Sequence, residues 1–92
     1  MNIIDEKKLK KYFEITGKAL AKARKSISKK MEKEASILLD MTQRYYDDAG
    51  WFEKKNDYVN AFACLNYAHG WLDAGARLGI FNVKDTKLFV IK

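Results

Sequence analysis

Three runs of side chains, spaced alternately by four and three residues, dominate this sequence. Only helices that bury one side against other helices satisfy that spacing. The first run is Leu9, Phe13, Thr16, Leu20, Ala23, Ile27. The second is Met31, Ala35, Leu38, Thr42, Tyr45, Ala49, Phe52, and the third is Tyr58, Phe62, Leu65, His69, Leu72, Ala76. They predict helices over about residues 4–26, 30–55 and 57–79, with an extended tail over 80–92. A chain of 92 residues holds one domain, so residues 1–92 are read as a single all-α, three-helix, up-down-up bundle.

The breaks between runs are legible to different degrees. Between the first two lies KSISKK, with neither glycine nor proline. The step Ile27–Met31–Ala35 repeats a spacing of four, which puts the runs out of phase. A turn within 26–30 accounts for that, with Ser26 or Ser28 as the cap of helix two; one long helix with a stutter is the alternative. The second break is Lys55-Asn56-Asp57, and Asp57 suits the positive N-terminal end of helix three. Gly79 reads as a left-handed C-cap. In the tail, Leu88-Phe89-Val90-Ile91 is too apolar to lie free, so it is expected along a bundle groove.

Composition excludes several classes. Apolar residues make up 48% and charged residues 33%, the balance of a globular chain, and there is no proline. Cys64 is the sole cysteine, so packing rather than disulfides must hold the fold. The first residues, MNIIDEKKLKK, lack the apolar stretch of a signal peptide, and no run approaches the length of a membrane span. A soluble, cytoplasmic protein without membrane association is therefore expected. Phosphate loops, CxxC pairs, HExxH and nucleophile elbows are absent. No catalytic residue, metal or cofactor is expected, and the protein is read as not an enzyme.

Helix three is the unusual element. Opposite its core side it carries Ala63, Tyr67, Gly70 and Ala74, with Trp71 beside them, where a bundle helix should be polar. Something must cover this second face. The C-terminal tail is the first candidate; a second copy or another protein is the next. Tyr67, Gly70, Trp71 and Ala74 are the candidate interaction residues.

His69, Asp73 and Arg77 follow at intervals of four and form a candidate polar cluster. A base or metal ligand would need converging partners, and no second histidine exists. A core histidine bonded to Tyr45 or Thr42 across the hairpin, and to Asp73, is the favoured reading. Asp47 and Asp48 point about 100° apart on a helix and do not converge; with Asp40 and Arg44 they read as a solvated face. The net charge of +6 is carried by residues 1–34, where eleven Lys and Arg face five acids. Lys7, Lys11, Lys18, Lys22, Lys25 and Lys29 line up opposite the core side of helix one, a row that could follow a phosphate backbone. No aromatic residue interleaves with it to stack on bases, so an ordinary solvated face remains the alternative.

The stretch from Tyr45 to Phe81 resembles a small archaeal family, the domain of unknown function 357 family. The likeness is carried by Asp57-Tyr58-Val59, Ala61, Tyr67-Ala68, Gly70-Trp71-Leu72-Asp73-Ala74-Gly75 and Arg77-Leu78-Gly79. Leu39-Asp40-Met41, Tyr45 and Asp47-Asp48-Ala49 fit its second helix, and Leu88-Phe89-Val90 its terminal tail. The resemblance implies a compact three-helix bundle similar to the albumin-binding-domain type, and no activity. A fainter likeness to tetratricopeptide-like and nucleotidyltransferase-associated helical hairpins carries no nuclease function, because that function needs an arginine followed four to six residues later by a histidine, whereas His69 precedes Arg77 and Arg44 lies far upstream. The functional expectation is a non-enzymatic protein-interaction module, binding a protein partner or itself. The alternative is a nucleic-acid-associated protein using the helix-one lysines.

Overall fold

A computed structural model describes residues 3–91; the expected tail position 92 lies outside them. Three helices form an up-down-up bundle: α1 (Glu6–Arg24), α2 (Glu32–Lys54) and α3 (Tyr58–Arg77). Each stops short of the ends read from the periodicity, because the turns need backbone that the helix cannot supply. Asn56 (φ 60°) and Gly79 (φ 76°) take left-handed conformations just past α2 and α3, and Lys30 (φ 69°) does so just before α2.

Local chemistry explains most of the boundaries. Asp5 caps α1 by accepting from the Lys8 backbone N–H at 2.8 Å, and Lys22 and Arg24 sit at the negative end of its dipole. Asp57 caps α3 as expected, accepting from the Asn60 backbone N–H at 3.2 Å. Beyond α3, the Gly79 N–H donates to Ala76 O and the Ile80 N–H to Gly75 O, a Schellman closure around the left-handed glycine. The start of α2 differs from expectation. Met31 occupies the cap position without a side-chain bond. Ser28 Oγ donates instead to Gly79 O at 2.6 Å, because the 25–31 turn runs beside the end of α3. There Ser28 N–H donates to Ile80 O, Asn82 N–H donates to Ser26 O, and Ile27 and Phe81 form an isolated antiparallel bridge. The two helices are separate; the stutter reading does not hold.

The core has two halves. One gathers Leu9, Ala49, Ala61 and Leu65, with Phe13, Tyr46 and Phe62 packed on them. The other gathers Leu20, Ala23, Ala35, Leu39, Leu72 and Ala76 around Phe81 and Phe89. Buried Thr16 and Thr42 are the polar residues of the interior. Thr42 bonds back to Leu38 O in its own helix at 2.8 Å. Gly75 is what admits Phe81, the largest fully buried side chain: a methyl group at residue 75 would overlap the Phe81 ring.

The tail lies along a bundle groove, as expected, but it does not cover the second face of α3 for which it was the first candidate. Lys22 of α1 holds Asp85 at 3.4 Å. Asp85 turns the chain by accepting from the Lys87 N–H at 2.9 Å and from Phe89 N–H through its carbonyl at 3.0 Å. Phe89 then inserts into the core, and Val90 N–H donates to Asp73 Oδ1 at 2.9 Å. The tail thus lies along α1 and α3 on the His69–Asp73 side and leaves the outer face of α3 uncovered. Its apolar anchors, Ile80, Phe81, Val83 and Phe89, are more useful to the shared core than to a helix surface already crowded with small residues.

Candidate functional site

The sequence offered three candidate sites, and the structure treats them differently. On α3, Ala63, Tyr67, Gly70 and Ala74 are all exposed, and together with Asn66 and Trp71 they line one open, shallow apolar groove. The apolar surface continues along the helix: Val59 is 68% exposed, Tyr67 63% and Leu78 69%. Tyr67 stacks on Tyr45 of α2, with ring centres 5.3 Å apart and planes 19° from parallel, which makes that side of the groove a stiff aromatic wall. Trp71 is half-buried, and its Nε1 is covered by protein with no hydrogen-bond partner among the described residues. A Cβ built on Gly70 meets nothing within 4 Å. Val59 and Leu78, which extend the face at both ends, belong to the same helical side but lie beyond the spacing that drew attention to the other four.

His69 is brought together with different partners from those expected. Its Nδ1 lies 3.1 Å from Thr16 Oγ1 of α1, and its Nε2 meets the main-chain carbonyl of Leu88 in the tail. Tyr45 and Thr42 are not involved, because Tyr45 is stacked on Tyr67 and Thr42 is satisfied within α2. A carbonyl can only accept, so in the neutral ring the proton sits on Nε2 and Nδ1 accepts from the Thr16 hydroxyl. Both ring nitrogens are then engaged. Asp73 stands 3.7 Å from Nε2, and its Oδ1 holds the Val90 N–H. Arg77, the third member of the expected cluster, is exposed and makes no ion pair with Asp73 among the described residues. His69 and Asp73 therefore act as a polar latch for the tail. Leu88 and Asp85 complete it, and no spacing rule pointed to either.

The lysine row is shorter than the sequence suggested. Lys7, Lys11, Lys18 and Lys22 are exposed on α1, and Lys22 is engaged with Asp85. Lys25 is the C-cap of α1, and Lys29 falls in the following turn, off the helix. The acidic face of α2 is locally paired: Arg44 donates to Asp40 at 3.0 Å and Gln43 to Asp47 at 2.9 Å.

The perturbed titrations of Tyr46, Cys64 and Asp85 lie outside the lining of the α3 groove. Burial pushes the Cys64 thiol up, with the Asp48 charge adding to it. Burial likewise raises Tyr46, with Asp47 and Glu53 contributing, while its hydroxyl donates to Phe13 O. The Lys87 N–H bond holds Asp85 below its ordinary value, aided by Lys22. Among the described residues no group of three or more His, Cys, Asp or Glu is placed to hold a metal, and no helix is long and apolar enough to cross a membrane.

A family profile described as a protein of unknown function, DUF357, matches residues 11–81. No curated protein matches the chain, and neither does any solved structure.

Proposed function

The chain belongs to the DUF357 family, of unknown function, and on that premise we propose that it is a non-enzymatic protein-interaction module that docks an apolar helix on the outer face of α3. The observation that supports this reading is the uncovered groove of Ala63, Tyr67, Gly70, Trp71 and Ala74, left bare by a tail that packs elsewhere. Small residues there let a second helix approach closely, and Tyr67 and Trp71 provide the large rigid contacts that dominate interface energetics. The polar pair His69 and Asp73 bonds within the chain, to Thr16, Leu88 and Val90.

The test is a titration of the full chain into a dye-labelled amphipathic peptide with Leu and Ala on one face and uncharged Gln and Ser on the other. Fluorescence anisotropy should rise, and Gly70→Arg should abolish the rise while leaving the far-UV circular dichroism unchanged. No binding, or equal binding by Gly70→Arg, would overturn the reading.

A second reading rests on Lys7, Lys11 and Lys18, exposed on one side of α1. It makes the protein nucleic-acid-associated through phosphate contacts alone. Retention on duplex RNA or DNA at about 50 mM salt that is lost near about 200 mM would support it, because counterion release makes such contacts steeply salt-dependent. No retention at the lower salt removes it.

A further inference from the structure

We infer that the occupant of the α3 groove is a second copy of this chain, its α3 running antiparallel across a two-fold axis that passes beside Ala68 and His69. This inference rests on the docking role of α3 proposed above and specifies the partner.

The face is self-complementary about that axis. At 100° per residue, the positions from Val59 to Leu78 that make up the face lie within roughly 140° of arc. Pairing the helix antiparallel with itself about its midpoint sets Tyr67 opposite the second copy's Gly70. The most exposed aromatic ring of α3 thus faces a residue whose Cβ position is open space. The two-fold repeats this pair, as an isologous contact requires. Ala63 falls opposite Ala74, small against small, so the backbones can come close. Val59 falls opposite Leu78, which covers the two most exposed aliphatic side chains of the helix with each other.

Charge selects the antiparallel arrangement. The face carries one charged residue, Arg77, at the C-terminal end of α3. In a parallel pair Arg77 would meet its own copy. In the antiparallel pair it meets the other helix's N-terminal end, where Asp57 caps the helix and bonds Asn60 at 2.7 Å. The helix dipoles then also oppose. The excess positive charge of residues 1–34 stays off this seam.

Size sets how tight the pair is. The 20 residues of α3 span about 30 Å, and a helix is about 10 Å wide. The seam falls well below the roughly 800 Å² per partner of a standard stable interface. The dimer is therefore a concentration-dependent one, in the size class of transient contacts.

Cysteine pairing tests occupant and register together. Ala63→Cys and Ala74→Cys are made separately in a Cys64→Ser background, and the full chains are mixed at high concentration under mild oxidation. Residues 63 and 74 of opposite copies face each other, whereas the two copies of residue 63 stand about 16 Å apart along the seam by helix rise, beyond the roughly 7 Å Cα limit of a disulfide. The expected result is a disulfide-linked dimer from the mixture, at least tenfold more abundant than from either variant alone. Equal linking by Ala63→Cys alone would overturn the antiparallel register, and no linking in the mixture would overturn the second copy as occupant. A chain that fails here and still binds the amphipathic peptide keeps a docking face for a different helix; one that fails both loses the docking role as well.

Discussion

His69 Nε2 of α3 donates its proton to the main-chain carbonyl of Leu88, nineteen residues further on, and with the Val90–Asp73 bond and the Lys22–Asp85 pair this contact holds the C-terminal tail against the waist of the bundle. Its other nitrogen reaches Thr16 of α1 at 3.1 Å, so one imidazole ties two helices and the tail.

Removing the imidazole should therefore loosen the tail, not the helices. His69→Ala is expected to cost about 1–3 kcal/mol, because it leaves the Leu88 carbonyl and the Thr16 hydroxyl without partners. Thr16→Val removes one bond only and should cost about 0.5–1.5 kcal/mol. Urea melts give both values, and amide exchange at Phe89 and Val90 should quicken in His69→Ala while the middle of α2 keeps its protection.

Gly75 and Phe81 fit only as a pair. Gly75→Ala, ordinarily a helix-stabilising change, should here destabilise by about 1–3 kcal/mol through overpacking against the Phe81 ring and the nearby Leu38 side chain. The double variant Gly75→Ala with Phe81→Leu should recover part of that loss. A thermal melt in which Gly75→Ala is more stable than the parent would contradict this packing.

The acid limb of the tail's stability should follow Asp85. The Lys87 N–H bond and Lys22 hold its folded value below the ordinary carboxylate value of 3.8. A group depressed on folding adds stability above its unfolded value and loses that contribution as pH falls through its folded value. The Leu88 and Phe89 amide resonances should thus shift as the pH drops from about 4 to 2, and in Asp85→Ala they should already sit at the released position at neutral pH.

Cys64 should be a slow nucleophile. Burial and the Asp48 charge raise its thiol, so less thiolate exists at neutral pH. Iodoacetamide should label it several-fold more slowly than glutathione at pH 7, and Asp48→Asn should quicken the reaction modestly. A rate equal to that of glutathione would contradict the environment described for it.

The helices were legible because their burial is periodic: Leu9, Thr16, Leu20 and Ala23 of α1, and Leu65, Leu72 and Ala76 of α3, are buried as the spacing demands. The deeper side of α3 was not. Ala61, Ala68 and Gly75 are buried as well, and small residues carry little periodic signal although they decide how closely helices pack. The bare face of Tyr67, Gly70 and Ala74 was visible as an apolar excess, but the tail's choice of groove was not. That choice depends on a carbonyl (Leu88) meeting His69, on the Lys22–Asp85 pair, and on the space left by Gly75, contacts 19, 63 and 6 residues apart in sequence that no local pattern encodes.

Light scattering across a concentration series, with the parent chain and Gly70→Arg side by side, decides whether the α3 groove takes a second copy. The parent should pass from the mass of one chain toward that of two as concentration rises. Gly70→Arg, whose Cβ meets nothing within 4 Å in the single chain, should melt at or above the temperature of the parent, since arginine is the better helix former, and remain at one. A parent that holds the mass of one chain throughout, or a Gly70→Arg variant that dimerises equally well, would rule out pairing through the α3 groove.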